Sequence, residues 1–421
     1  MTTTRTSTTT AAEPLGRPFH IHLGGVGLAN LADGIVLGGV PLVAVTLTRS
    51  PGEISLLQVA FWLPWLLLGL VAGVVVDRLD RRHVQLAGAA VRVVLLAGMT
   101  WLAVTDRLTM ALLVAAVGVY GVTQVFVDLA GSSIIPQLAP RSRLSAANGR
   151  VMGAEQALTT FVGGPAGGLL LTLGAGWVFG VPVALGVAFL LLIGLGLRGD
   201  FHADRPEQAP STASRLTEVL EGLRMQVAHP VLRPLLVSSS VFNFANTGYF
   251  AVFVLWMVGP GSRVGLEPHE FPMLLAVLAV GAVVGSVLAE RLVRRFSEVP
   301  LLVACWAVNS SLLLVPVLWP HPWPIALAFF VVGLTNMVGN VVGRTLRQRL
   351  VPAATLGRVG GAGGMVGYGL MPLGALLGGL VGEVWGLQAV FVGAVVLCLL
   401  TVVYVATHLS DALVEQHELP A

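Results

Sequence analysis

Apolar runs long enough to cross a membrane recur along nearly the whole chain, separated by short polar segments. A transmembrane helix needs about 20 mostly apolar residues. The pattern predicts an all-α membrane protein with twelve spans in two sets of six. The first set is predicted at 20–47, 54–76, 84–105, 108–134, 151–173 and 176–197. The second is predicted at 231–258, 271–290, 299–319, 324–345, 359–382 and 386–408.

Polar segments at the ends and in the middle of the chain set the predicted domain organisation. The central segment holds four apolar residues at helical spacing, which predicts an amphipathic helix on the membrane surface: Leu216, Val219, Leu220 and Leu223. The predicted units are a disordered cytoplasmic tail at 1–18, a six-helix bundle at 19–197, a linker at 198–230, a pseudo-symmetric six-helix bundle at 231–408 and a cytoplasmic tail at 409–421.

Composition excludes several classes of protein. The chain is 55% hydrophobic and 11% charged, against about 25% charged residues in soluble domains. All 24 basic residues are arginine, so neither a Walker A loop nor lysine Schiff-base chemistry is possible. Cys305 and Cys398 are isolated in apolar runs, which predicts buried thiols without a disulfide or a metal site. We therefore expect no enzyme activity and no bound cofactor.

The arginines are distributed unevenly between the two sides of the predicted topology. Twenty lie in segments on the side of the N-terminus, and three, Arg49, Arg107 and Arg263, lie on the other side. Because cytoplasmic loops of membrane proteins are rich in arginine, both termini are predicted to be cytoplasmic, in a bacterial inner membrane. Arginines placed in membrane loops do not indicate nucleic-acid binding.

The two halves repeat short motifs at a nearly constant spacing. "DRLDRR" begins at Asp77 and "ERLVRR" begins 213 residues later, at Glu290. "PRSRL" begins at Pro140 and "PAATL" 212 residues later, while "GPAGG" in the fifth span matches "MPLGALLGG" in the eleventh. Repeats in matching positions are typical of secondary transporters with a site between two bundles.

These motifs resemble the major facilitator superfamily over residues 20–408. "GVVVDRLDRR", Gly73 to Arg82, is similar to the superfamily's signature loop, with Asp80 where glycine is common. The carboxyl group of Asp77 is predicted to cap or pair with a neighbouring helix end and hold the inner side closed. The predicted conformational gate consists of Gly73, Asp77, Arg78, Arg81 and Arg82, with Glu290 and Arg291 of the repeat.

Other stretches resemble the drug-exporting branches of the superfamily. "NLADGIVLGGVPL" and "PRSRLSAANGR" are similar to the bacterial branch that exports enterobactin-type siderophores, macrolides and other drugs. The fourth span reads "YGVTQVFVD" and lacks the arginine usual there. An antiporter-like motif, expected to act through close helix contacts and bending, consists of Gly164, Pro165, Gly167 and Gly168, with Pro372 in the eleventh span.

Charged residues inside the predicted spans are candidates for proton coupling, because each costs about 2.5–3.5 kcal/mol at a helix centre. Asp33 lies near the middle of the first span, with no basic residue within a helical turn. It is predicted to carry the coupled proton or contact cargo. The alternatives are a hydrogen bond to neighbouring backbone and exposure to water in a cavity.

Three further charged residues lie within the first half. Arg92 and Asp128 fall at similar depths in the third and fourth spans, which predicts an ion pair that either stabilises the bundle or acts in gating. Arg92 alone could instead snorkel to the surface. Glu155, near the start of the fifth span, is predicted as a second proton site, with snorkelling to the surface or pairing to Arg150 as the alternatives.

The matching positions of the second half are polar but uncharged. Asn243 stands 210 residues after Asp33, and Asn340 stands 212 residues after Asp128. We interpret this asymmetry as proton transfer in the first half and hydrogen bonding to cargo in the second. The predicted cavity residues are Asn243, Asn246, Tyr249, Asn336, Asn340 and Gln124.

The predicted function is export of an amphipathic small molecule, such as a drug, antibiotic or siderophore, by alternating access and driven by the proton gradient. The expected partners are cargo, protons and the lipid bilayer, with a monomer as the working unit. Import or facilitated diffusion on the same scaffold is one alternative. A non-transporting membrane sensor is another, although the sequence shows no large soluble output domain for it.

Overall fold

A computed structural model describes residues 15–202 and 212–418. Apolar composition and N-terminal caps define the helices of the first half: Ser50 and Asp80, for example, accept hydrogen bonds from the first turns of the second and third helices. The helices are α1 (Arg17–Leu47), α2 (Pro51–Arg78), α3 (Arg81–Val104), α4 (Met110–Leu138), α5 (Leu144–Gln156), α6 (Gly164–Leu173) and α7 (Ala175–Gly196). A π-helical segment, Ala157–Gly163, joins α5 to α6.

The second half repeats this arrangement after a linker helix. The linker helix is α8 (Thr212–Ala228), where the apolar spacing predicts a helix. The remaining helices are α9 (Leu232–Met257), α10 (Glu270–Arg295), α11 (Glu298–Leu312), α12 (Val315–Leu318), α13 (Pro322–Leu350), α14 (Ala353–Gly369), α15 (Met371–Trp385), α16 (Leu387–His408) and α17 (Asp411–His417).

The fold is all-α, with two pseudo-symmetric bundles of six transmembrane helices, which confirms the predicted fold class. Eleven helical segments of the described chain are long and apolar enough to cross a membrane. The fifth span is the continuous run α5, π segment and α6, in which Pro165 lacks the backbone N–H that a regular helix needs. The regular helix of the eleventh span is interrupted at Leu370, between α14 and α15.

Glycine permits the close packing of the first span against the fifth. Gly34 of α1 lies against the backbone of Thr159 and Gly163, and a Cβ atom on Gly167 would collide with the Ile35 carbonyl group. The equivalent pair in the second half, α9 and α15, also packs through glycines. The glycines of the antiporter-like motif therefore set the distance between helix backbones, as small residues do in membrane bundles.

The two halves are joined at one end of the molecule. We call this the arginine-poor end, because its loops carry Arg49, Arg107 and Arg263, and the opposite end the arginine-rich end. Arg49 Nη1 donates to the Val258 carbonyl at 2.9 Å. Glu383 Oε2 accepts from Ser50 Oγ at 2.9 Å and from the Gly52 backbone N–H at 3.1 Å.

Close backbone contacts complete the seal at the arginine-poor end. Gly168 of α6 leaves room for the backbone of Pro268 and His269, which lie in the opposite half. Gly259 has φ 83°, and the Arg49 guanidinium occupies the space where a side chain at Gly259 would stand. Together with the Glu383 contacts, these interactions close the arginine-poor end.

At the arginine-rich end, the linker helix packs against the second half. Gln226 of α8 donates to the Val359 carbonyl at 2.8 Å, and Arg358 pairs with Glu221 at 3.5 Å. The predicted apolar face of α8 is divided: Leu216 and Leu220 are 44% and 56% exposed, whereas Val219 and Leu223 are partly buried. A large cavity lined by residues of the second half reaches this end, where residues near the end of α13 line it.

Candidate functional site: a buried ion pair beside a divided cavity

A buried ion pair joins the first and third spans. Arg92 Nη1 donates to Asp33 Oδ1 at 3.1 Å, and both residues are 8% exposed. The guanidinium also lies over the Tyr120 ring, 4.4 Å from its centroid, and the Tyr120 hydroxyl donates to Asp33. Asp33 is thus held by a cation and a hydroxyl group rather than by the backbone of its own helix.

Side chains of α4 extend this network toward the cavity. Arg92 Nε donates to Thr123 Oγ1 at 2.8 Å, and Arg92 Nη2 donates to Gln124 Oε1. Gln124 Nε2 in turn donates to both carboxylate oxygens of Asp128, at 2.8 and 3.0 Å. The result is a continuous hydrogen-bonded chain from Asp33 through Arg92 and Gln124 to Asp128.

This geometry corrects the predicted pairing of Arg92. Its ion pair is with Asp33 and not with Asp128, to which Gln124 forms the only bridge seen in the described residues. The sequence pattern places Arg92 and Asp128 at similar depth, but helix rotation turns the guanidinium toward α1. Arg92 thereby gives Asp33 a basic partner, which α1 itself does not provide near Asp33.

Residues of the first half form an aromatic wall. It borders a space of about 1040 Å³, including its opening to solvent, and contains Phe61, Trp62 and Trp65 of α2. Gln124 and Asp128 reach the same space from α4. The Asp33 end of the network is therefore buried, whereas the Asp128 end faces the cavity.

Residues of the second half form a polar wall. It borders a second space of about 2020 Å³, including its opening to solvent. Four of the predicted cavity residues line it together: Asn243, Asn246, Asn336 and Asn340. Trp62 of the aromatic wall stacks on Tyr368 of the polar wall, with ring centroids 6.0 Å apart, so the two spaces adjoin at this pair.

Tyr249 lies outside this cavity, contrary to the prediction. It is fully buried, its ring packs against Phe253 and Phe391, and its hydroxyl donates to the Leu313 carbonyl at 3.0 Å. Six helical residues correspond to about 600°, which leaves Tyr249 about 120° around the helix from Asn243. Its position in the helix therefore directs it into the core.

Replacing Tyr249 by Phe is expected to lower stability without affecting cargo binding. The change leaves the buried Leu313 carbonyl without its partner, at a cost of about 1–2 kcal/mol. Thermal unfolding in detergent, followed by tryptophan fluorescence, should show a melting temperature lower by about 2 °C. Asn246→Ala is the comparison, because it should weaken cargo binding instead. If Tyr249→Phe weakens cargo binding, Tyr249 forms part of the cavity wall, and its assignment to the core is wrong.

The predicted gate residues at the arginine-rich end make contacts within their own halves. Arg82 donates to the Gly194 carbonyl of α7, and Glu290 pairs with Arg294 one turn along α10. Arg78 and Arg291 are exposed. The side chain of Asp77 lies outside the described residues. No contact of these residues within the described chain joins the two halves, and the cavity lined by the second half extends to this end.

The remaining predicted site residues lie at the edge of the network. Glu155 is exposed at the end of α5, and no hydrogen-bond or ion-pair partner is seen for it in the described chain, including Arg150. Pro165 begins α6, and Pro372 begins α15 after the interruption of the eleventh span. These positions remain predictions for a proton site and for bending.

Several residues of the site were not found from the sequence. Tyr120 and Thr123 complete the partners of Asp33 and Arg92, and Glu383 and Arg49 join the halves. The signal for Tyr120 was its position two turns before Asp128 on the same helix. Glu383 was visible as a charged residue near the end of the eleventh span, but its partner lies 331 positions earlier.

The protein consists of two six-helix bundles that are joined at one end, with a buried ion pair beside the cavities. This architecture defines the class: the protein is a major facilitator superfamily transporter. The sequence profile of the transmembrane secretion effector family matches residues 34–418, and the chain belongs to that family. Its members and the relatives below are transporters, not enzymes.

Two relatives share most of their length with this chain. The multidrug efflux pump Tap of Mycolicibacterium fortuitum is 28% identical over 86% of this chain and 88% of that protein. Tap of Mycobacterium tuberculosis (strain ATCC 25618 / H37Rv) is also 28% identical, over 86% of this chain and 87% of that protein.

Solved structures share the fold at low identity. A bacterial homologue of the iron transporter ferroportin, in an inward-facing state, has a TM-score of 0.70 at 15% identity and covers 94% of this chain and 100% of its own. The nucleoside transporter NupG has a TM-score of 0.68 at 12% identity, covering 93% and 98% respectively.

Proposed function

We propose that the protein is a proton-coupled exporter of an amphipathic small molecule in the bacterial inner membrane, with both termini in the cytoplasm. The observation that best supports this function is the buried Asp33–Arg92 pair, which is connected through Gln124 to Asp128 at the cavity. A single charged network thus links a buried carboxylate to the space where cargo would bind.

The network suggests how a proton could change the conformation. Protonation of Asp33 removes the charge that compensates Arg92, and an uncompensated buried cation is costly. Arg92 already contacts Gln124, so the nearest remaining carboxylate is Asp128. The guanidinium would shift along α4, loosening the tie between α1 and α3. Proton uptake at Asp33 would thereby favour one state of the alternating cycle.

The closed arginine-poor end supports the direction of the cycle. Under the positive-inside rule, that end faces the outside and the open arginine-rich end faces the cytoplasm. The described conformation would then be ready to take up cargo from the cytoplasm. The similarity to Tap multidrug efflux pumps supports export. We also propose that the two bundles move as units, that the linker helix rests on the membrane surface, and that the transporter works as a monomer.

Everted membrane vesicles test this proposal. Vesicles from cells overproducing the protein should accumulate a fluorescent drug when acidified inside by respiration, and nigericin, which collapses the pH difference, should release it. A drug and siderophore susceptibility panel on the same cells identifies the cargo to use. Accumulation insensitive to nigericin would contradict proton coupling. Increased accumulation in intact cells would indicate import.

A further inference from the structure

The cavity beside the polar wall is lined by two arginines and, among the described residues, by no acidic residue. Its lining includes Arg344 and Arg347, one turn apart on α13, and the described residues that line it include no aspartate or glutamate. Arg347 Nε donates to the Gly343 carbonyl at 3.2 Å, which fixes the side chain along the helix. The two guanidinium groups therefore give this wall a net positive charge.

These two arginines differ from their neighbours on the same side of the membrane. Arg349 pairs with Glu298 at 2.9 Å and with Glu418 at 3.2 Å, away from the cavity. Arg358 pairs with Glu221. Within residues 15–202 and 212–418, no carboxylate lies within 4.0 Å of Arg344 or Arg347. Among the four arginines from Arg344 to Arg358, the two that line the cavity are therefore the two without an ion pair in the described residues.

Amide groups beside the arginines are also available. Asn246 Oδ1 is buried and has no hydrogen-bond partner in the described residues, although Asn246 lines the cavity. Asn340 Nδ2 donates to Asn336 Oδ1 at 2.9 Å, which leaves the Asn340 carbonyl oxygen free to accept. The Asn246 side-chain oxygen can therefore accept a hydrogen bond from a ligand hydroxyl or N–H group in this cavity.

We infer that Arg344 and Arg347 bind an anionic group of the cargo, a carboxylate, phosphate or sulfate, and that the adjacent asparagines bind its neighbouring hydroxyl or N–H groups. Guanidinium groups match such oxyanions in geometry as well as charge. This inference rests on the proposed function in one respect, since it takes the occupant of the cavity to be the transported molecule.

The opposite wall fits the rest of such a molecule. Phe61, Trp62 and Trp65 offer apolar surface in the first half, and the Trp62–Tyr368 stack leads from that surface to the polar wall. Asp128, the acid that faces this space, already accepts two hydrogen bonds from Gln124. The geometry therefore selects an aromatic or apolar body carrying an acidic group, rather than a simple organic cation.

Binding of matched dansyl probes to the purified full-length protein, in a non-ionic detergent, tests this inference. Dansylglycine carries a carboxylate, dansylglycinamide is its neutral amide, and dansylcadaverine carries an amine. The wild type should bind dansylglycine about tenfold more tightly than the amide, the difference expected for one charge-assisted contact. Dansylcadaverine should bind more weakly than either.

Variants assign the preference to the two arginines. The double variant Arg344→Gln/Arg347→Gln should reduce the preference to less than about twofold while binding dansylglycinamide like the wild type. Arg344→Lys/Arg347→Lys keeps the charge and should keep most of the preference. Arg295→Gln, which removes an exposed arginine from the same end, is the matched control and should leave the preference intact.

Competition distinguishes the source of the anion. If added phosphatidylglycerol displaces dansylglycine, the site takes a lipid phosphate; if only soluble aromatic acids displace it, the site takes soluble cargo. Equal affinity of the wild type for the acid and the amide would overturn the inference, as would a preference that survives in the double glutamine variant. Because no ion gradient is present, these results are independent of proton coupling and of transport direction.

Discussion

Replacing Asp33 by asparagine is expected to abolish proton-driven efflux while leaving cargo binding in place. Asparagine keeps the size of the side chain and can still accept hydrogen bonds from Arg92 and Tyr120, but it cannot carry a proton. Because Asp33 lies away from the aromatic and polar walls, cargo affinity should change little. Drug accumulation in acidified everted vesicles should fall by at least about tenfold, a loss equivalent to 1.4 kcal/mol or more.

The same substitution leaves Arg92 buried without its counter-charge, so folding needs a separate control. Removing one partner of a buried pair costs about 3–5 kcal/mol, whereas removing both leaves no charge unpaired. Asp33→Asn/Arg92→Gln should therefore recover stability and detergent-column behaviour without recovering coupling. Asp106→Asn makes the same chemical change in an exposed loop, and asparagine tolerates its φ of 54°. Proton-driven efflux at the wild-type rate in Asp33→Asn would contradict the assignment of Asp33 as the residue that carries the coupled proton.

Linking position 50 to position 383 is expected to stop transport. In the described state, Ser50 Oγ and Glu383 Oε2 are 2.9 Å apart across the two halves. Alternating access requires these groups to separate when the arginine-poor end opens. In the variant Ser50→Cys/Glu383→Cys, a short bifunctional methanethiosulfonate should lower transport at least about tenfold, and dithiothreitol should restore it.

Each single cysteine variant, treated with the same reagent, is the control for this experiment. The native Cys305 and Cys398 are both buried, so the reagent should leave them unmodified. Dansyl-probe binding should persist in the linked protein, because the arginine-rich end stays open. Efficient linking with undiminished transport would show that the halves need not separate at Ser50 and Glu383.

The hydrophobic pattern was sufficient for the fold. Spans of 20 or so apolar residues are defined by the bilayer itself, so their number and order follow from local sequence. The arginine asymmetry and the repeated motifs then indicated two related halves. The π segment before Pro165 could not be placed, because a proline can be accommodated by a kink, a π turn or a helix end with little difference in sequence.

The candidate site could be predicted only in part from the sequence, because its contacts depend on how each helix is rotated about its axis. Asp33 and Arg92 are 59 positions apart, and nothing local to either residue specifies which face of α3 meets α1. The four cavity asparagines could be grouped because each pair, Asn243 with Asn246 and Asn336 with Asn340, is spaced three or four residues apart on one helix face. Helix spacing separates Tyr249 from them, since it stands about 120° around the helix from Asn243. Its residue type does not, because a hydroxyl group suits a wet cavity and a single buried carbonyl equally.

The contacts at the arginine-poor end have a consequence for how the protein is made. The hydrogen bonds of Arg49 and Glu383 join residues 209 to 333 positions apart, and Glu383 belongs to the eleventh span. Domains generally form as units during synthesis, N-terminal first. The first bundle can therefore assemble, with the start of α2 still lacking its Glu383 contacts, long before the ribosome has delivered α15. A nascent chain stalled before residue 383 would contain every residue of the network from Asp33 to Asp128. It would lack Glu383, the acid that closes the arginine-poor end.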